Sequence, residues 1–412
     1  MHHSSKQTYH ARWLMPIDEA PIPNGMMIVD SGVIASIKSF QDSKIEGELI
    51  DLGDVAILPG LVNAHTHLEF SDLAKPVGHA GMELADWIRE VITTRGMVDH
   101  QTRQQNVLRG HGEAIASGTQ LIADIVTTPM ETIPANTIAF AEVLGLSQER
   151  GDERMAQAEE HLANNASSDS RCDVAAISPH APYSTPLPLI ERCVKIAKQL
   201  NTTLAMHVAE SPAERELLSN GSGPFAESLR TLGLPVEAFF PWTEANPISH
   251  LIQLLAKSPR ALIVHGNDLT ESEIEQVKSH PNCSIVYCPR THHFFQHFKH
   301  PVAELLAAGI NVAIGTDSRA SNPDLDLWGE VQHLLKHRPD LNPTDVLRMA
   351  TANGADALGR SATQGRLAAG MPANFITVAT KADRVDQLWS DFSSSSVTSS
   401  SVSSAARPAP QS

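Results

Sequence analysis

Cysteine is scarce in this chain of 412 residues. The four present, Cys172, Cys193, Cys283 and Cys288, make neither a Cys-x-x-Cys pair nor a disulfide-framework spacing. That pattern fits a reducing compartment. No apolar run approaches the roughly 18–20 residues needed to cross a bilayer, and no apolar signal core opens the chain. Cytoplasm is therefore the expected compartment, and a membrane is excluded as a partner. Cationic side chains are also short in supply, with 31 Lys and Arg against 47 Asp and Glu, a net charge of -16. Phosphate backbones would be repelled, and no Lys/Arg-rich block offsets this, so nucleic acid is excluded as well. No internal repeat of fixed period is present.

What remains is an ordinary globular composition, 42% hydrophobic and 19% charged, with room for a large core. Residues 6–56 read as short strands and turns, such as Met26–Val29 and Gly32–Ile37, without a sustained helical period. Two similar pieces, Gly365–Leu367 and Phe375–Val378, lie near the other end. Between them, short apolar runs alternate with amphipathic stretches. The strand candidates are Ala56–Val62, Gln120–Val126, Ala139–Gly145, Val174–Ser178, Thr203–His207, Ala261–His265, Ser284–Tyr287 and Asn311–Gly315. Eight strands alternating with helices such as Leu187–Leu200 and Pro301–Ala308 predict an α/β fold, a (β/α)8 TIM barrel. A small β-sandwich built from both termini would flank it. The expected division is 1–56 and 365–390 for the sandwich, 57–364 for the barrel, and 391–412 for a Ser-rich tail. The tail, almost wholly Ser, Val, Ala and Pro from Ser393 on, cannot bury enough apolar surface to order itself.

Polar residues collect where these strands end. His65 and His67 close the first, and residues i and i+2 of a strand point to one face, so both imidazoles can reach one cation. His180 follows a middle strand. His207 ends another, with Glu210 three residues on. His265 ends the next, and Asp317 follows the last. A lone strand-end histidine is more often a satisfied core residue than a ligand. Five such coincidences in one register favour a site, because strand C-termini are where barrel enzymes hold their chemistry. Three imidazoles and a carboxylate (His65, His67, His207, Asp317) suit Zn²⁺ ahead of Fe²⁺. Such a cation lowers the pKa of a bound water to roughly 7. Asp317 could ligate and take the water's proton, His265 could orient the resulting hydroxide, and Glu210 could carry a proton to the substrate.

The ordered motifs LPGLVNAHTHLE, HVAE, VHGN, CPRTH and GTDS resemble the metal-dependent amidohydrolase superfamily, and within it the cytosine/guanine/adenosine-type deaminase and chlorohydrolase branch. The resemblance spans roughly residues 25–380. It implies a single metal held by His65, His67, His207 and Asp317, assisted by Glu210 and His265. Binuclear members carry a carboxylated lysine or a carboxylate after strand four. Here His180 stands there, which implies substrate contact rather than a second metal.

Substrate readings stay open. Glu69, two residues past His67, could accept hydrogen bonds from a purine edge or ribose hydroxyls, or could support a metal histidine. Arg290 could clamp a substrate carboxylate, or could pair with a neighbouring acidic side chain. The HTHLEFS and CPR combination is similar to aminodeoxyfutalosine-type deaminases. Trp87, Phe294, Phe295 and Trp328 are candidate pocket walls. The expected activity is hydrolytic deamination of an aminated N-heterocycle, an adenine nucleoside derivative first among them, releasing ammonia. A chlorohydrolase or cyclic amidohydrolase of the same fold is the alternative, and a non-catalytic scaffold the remote one. The partner is a small molecule, and a homodimer is compatible with this reading.

Overall fold

The computed structural model describes residues 6–42, 44–96, 98–128, 130, 132–165 and 174–401. Five strands open the chain: β1 (Gln7–Leu14), β2 (Ile22–Asp30), β3 (Val33–Ser39), β4 (Glu48–Asp51) and β5 (Val55–Pro59). Eight more follow: β6 (Leu61–Thr66), β7 (Thr119–Val126), β8 (Thr137–Val143), β9 (Ala175–Pro179), β10 (Thr203–Val208), β11 (Arg260–His265), β12 (Cys283–Tyr287) and β13 (Val312–Ile314). Two strands end the described chain, β14 (Asn374–Ala379) and β15 (Val397–Ser401).

Strands β6 to β13 form one parallel sheet in sequence order. Helices fill the intervals, and a bridge between Thr66 and Asp317 brings the last strand back to the first. This is the (β/α)8 barrel. Every residue of β6 to β10 is buried, as strands covered on both faces must be. Along β10 the two faces separate with period two: Leu204, Met206 and Val208 join the larger core cluster and Ala205 the smaller.

The remaining strands form a second, seven-stranded sheet of order β15-β14-β5-β1-β2-β3, with β4 beside β1. The run Ala56–Val62 therefore does not form one barrel strand. Pro59-Gly60 breaks it, so β5 pairs with β1 and β14 while the barrel begins at Leu61. Gly60 is required there: a Cβ would come within 2.1 Å of the Gln120 side chain.

The Ser-rich segment is also partly corrected. Val385–Phe392 is a helix whose Leu388 and Phe392 are buried, and Val397–Ser401 pairs antiparallel with β14. Composition argues for disorder only where no partner edge exists, and β14 supplies one. Residues 402–412, the rest of the expected tail, lie outside the described residues, as does Cys172. Cys193, Cys283 and Cys288 are buried free thiols. Among the described residues no helix is long and apolar enough to cross a membrane.

Candidate active site at the barrel mouth

The side chains that end the barrel strands meet at one point. His65, His67, His207, Glu210, His265 and Asp317 are all buried. Ligand atoms of His65, His207 and His265 lie within 4.8 Å of one another, as do those of His65, His67 and Asp317. His65 belongs to both groups, so it marks the centre. Three of the strand-end positions turn through left-handed backbone: Ala209 (φ 54), His265 (φ 70) and Asp317 (φ 54). Such conformations cost about 1–3 kcal/mol each and persist only where packing over-determines them. Gly315 permits the closest approach, since a Cβ there would lie 2.6 Å from the His65 carbonyl oxygen.

Hydrogen bonds fix the orientations. The Nδ1–H of His207 donates to the backbone carbonyl of His180 at 2.7 Å, which leaves the Nε2 lone pair facing inward. That Nε2 lies 3.2 Å from Nε2 of His65. Asp317 Oδ1 stands 3.8 Å from Nε2 of both His65 and His67. These separations fit ligands of one ion, because bonds of about 2.0–2.2 Å in a tetrahedron put donors roughly 3.3–3.6 Å apart. Asp317 Oδ2 accepts from Ser321, and the Asp317 carbonyl accepts from Thr66. Glu210 Oε1 lies 3.5 Å from His265 Nε2. The turn that presents Glu210 is held by Glu214, whose carboxylate accepts from the backbone N–H of Ala209 and Glu210.

Burial sets the charge states. It holds His65, His67 and His265 well below the ordinary imidazole range, with nearby imidazoles adding to the effect. His207 is lowered to about 4 and His180 to about 3 by the same desolvation. Neutral imidazoles are what a cation needs. Burial raises Asp317 to about 7, against the opposing hydrogen bond from Ser321, and raises Glu210 well above the carboxylate range.

Beside this centre lies a second polar group. Glu69 accepts a hydrogen bond from the Thr127 hydroxyl at 2.7 Å and pairs with Arg95 at 3.0 Å. The Arg95 contact is ionic without hydrogen-bond alignment, so Glu69 Oε1 is ion-paired but accepts no hydrogen bond. Glu142 Oε2 stands 3.8 Å from Arg95 and its Oε1 3.9 Å from Nε2 of His180, and Oε2 likewise accepts no hydrogen bond. His180 Nδ1 is hydrogen-bonded to the Ser184 hydroxyl. Sequence spacing gave no sign of Arg95, Glu142 or Glu214. The orienting role of His180's carbonyl was equally silent, because it belongs to the backbone.

Arg290 does not face this space as a free cation. Its guanidinium bonds Glu330 at 2.7 Å, Asp324 at 2.7 Å and the carbonyl of Asp326. Glu330 in turn accepts from Asn322, whose amide also donates to the carbonyl of Thr316. Arg290 thus braces the loop that carries Asp317, and its donors are occupied by the chain's own acids. Replacing Arg290 by Met would strand the fully buried Glu330 carboxylate and cost about 3–5 kcal/mol of stability. Chemical denaturation measures this; a rise in KM at unchanged stability would instead mark a substrate clamp. Trp328 is core rather than pocket wall, packed on Phe392 with its indole N–H on the Ser395 carbonyl. Trp87 is half-buried against Phe295 and donates to the carbonyl of Ala320, which steadies the same loop.

The amidohydrolase family profile matches residues 56–403. The 5-methylthioadenosine/S-adenosylhomocysteine deaminase of Syntrophobacter fumaroxidans is 29% identical over 348 residues, covering 80% of this chain and 73% of that protein. The aminodeoxyfutalosine deaminase of Deinococcus radiodurans is 29% identical over 319 residues, covering 74% of this chain and 73% of that protein. Among solved structures, an adenosine deaminase from Xanthomonas campestris with bound zinc superposes with a TM-score of 0.74 at 23% identity. That match covers 95% of this chain and 89% of the other, and it shows the shared fold.

Proposed function

The chain belongs to the amidohydrolase family, and from that membership we propose that it is a hydrolytic deaminase of an adenine nucleoside derivative. The observation that supports the reading is the pair of overlapping groups His65/His67/Asp317 and His65/His207/His265, which share His65, with Glu210 3.5 Å from His265. The names of the two curated relatives share an adenosine skeleton and support that substrate class.

His65, His67, His207 and Asp317 would hold one divalent cation, Zn²⁺ first and Fe²⁺ second. The ion, when bound, supplies a Lewis acid that brings water ionisation near neutral pH. The chain's own groups do the rest. Asp317 accepts a proton from the attacking water. Glu210, whose acid form burial favours, gives a proton to the ring nitrogen next to the carbon under attack and regains one from the added hydroxyl, while the proton held by Asp317 goes to the leaving amine. His265 orients the attacking water. A C–O bond forms, the exocyclic C–N bond breaks, and ammonia leaves. Glu69 and His180 face the substrate, with Trp87 as a wall. The carboxylate oxygens of Glu69 and Glu142 that accept no hydrogen bond suit hydroxyl donors such as those of ribose. Arg290 is left out of the substrate set.

A panel of adenosine, methylthioadenosine, S-adenosylhomocysteine, aminodeoxyfutalosine, guanine and cytosine tests the proposal. At least one adenine nucleoside should lose its adenine absorbance with one equivalent of ammonia released. Turnover of a chloro-triazine alone, with no ammonia from any nucleoside, would contradict it.

A further inference from the structure

A second set of imidazoles stands on the rim of the barrel, away from the site just described. His293 lies in the last turn of the short helix Pro289–Phe294, and His333 and His337 lie on the helix Leu327–His337. The latter two are four residues apart, so they share one helix face. Their ring centres are 4.3 Å apart, and His293 lies 5.2 Å from His333 and 6.1 Å from His337. In the buried centre the corresponding separations are 4.9, 4.9 and 5.6 Å. A tetrahedral ion with Zn–N bonds of about 2.0–2.1 Å holds ring centres roughly 5 Å apart. The rim separations bracket that value.

Its surroundings are compatible with an ion. The three residues line a cavity of about 340 Å³ together with Lys299 and Arg338, both of which are paired with Asp340. His337 uses Nδ1 to bond the His333 carbonyl at 2.9 Å, which leaves Nε2 for a ligand. His293 and His337 are exposed and His333 is half-buried, so the rings can turn until their nitrogens converge. Only the two buried groups already have their ligand atoms within 4.8 Å of one another among the described residues. Burial and the two neighbouring imidazoles lower His333 to about 4, so it is neutral at physiological pH. Nothing in the deaminase chemistry uses these residues.

We propose that His293, His333 and His337 form a second, peripheral site for a borderline divalent transition cation of the Zn²⁺ class. An all-imidazole set selects Zn, Ni or Cu over the oxygen-seeking Mg and Ca. The ion would tie the helix carrying Arg290 to the helix carrying Glu330, alongside the ion pair that already joins them. Exposure leaves the fourth position to water.

The test is competitive zinc titration of the full chain against a chromophoric chelator, repeated on His333→Ala/His337→Ala and on His2→Ala/His3→Ala. The wild-type chain should bind one more equivalent of zinc than the His333→Ala/His337→Ala chain, and the N-terminal pair should make no difference. That one-equivalent difference is read whether or not the buried centre is loaded. The second equivalent should also raise the melting temperature of the wild type and leave that of the double variant unmoved. Equal stoichiometry in wild type and double variant, or loss of the extra equivalent in the His2→Ala/His3→Ala chain, would overturn the proposal.

Discussion

Substituting His207 by alanine is expected to remove the metal and the turnover together. The ring of His207 is held by the His180 carbonyl on one side and faces His65 on the other. A bound cation contributes several kcal/mol to transition-state charge. At 1.36 kcal/mol per factor of ten, its loss lowers kcat/KM by on the order of 10³-fold or more. The purified variant should therefore hold far less than one equivalent of zinc at the buried centre and show no measurable ammonia release. Full metal content with full activity would remove His207 from the site.

Glu210→Gln separates proton transfer from metal binding. The amide is nearly isosteric and keeps the contact with His265, 3.5 Å away. It cannot give up and regain a proton. Metal content should stay at the wild-type level while turnover falls by about 10²–10⁴-fold, the usual weight of general acid–base catalysis. Retained activity would assign the proton to another group, and Asp317, raised to about 7, is the nearest candidate.

Why these two residues could be read from sequence while others could not has a physical basis. Strand-end positions announce themselves, because a polar side chain interrupting a buried apolar run needs a reason. His65, His67, His207, His265 and Asp317 all sit at such interruptions, and the structure brings them together. Glu210 followed from His207 by short spacing on one turn. Arg95 and Glu142 reach Glu69 and His180 only through long-range packing, which leaves no local period. Arg290 misled for a related reason: a cation at a strand end looks free until Glu330 and Asp324 arrive from a distant segment.

The fold was legible to a similar depth. Apolar runs gave the barrel strands to within a residue or two in most cases, such as Thr203–Val208 and Cys283–Tyr287. The run at Ala56–Val62 failed because Pro59-Gly60 sends its two halves to different sheets. Strand β15 was invisible because its own composition is weak and its pairing comes from β14. Trp328 could not be placed on either side of the barrel wall without knowing that Phe392 packs on it.

Crystals grown with zinc, measured at the zinc absorption edge, put the central claim to its most direct trial. The account predicts an anomalous peak bonded to ring nitrogens of His65, His67 and His207 and to a carboxylate oxygen of Asp317, at about 2.0–2.2 Å from each. A fully loaded crystal with no peak among these four side chains would contradict it.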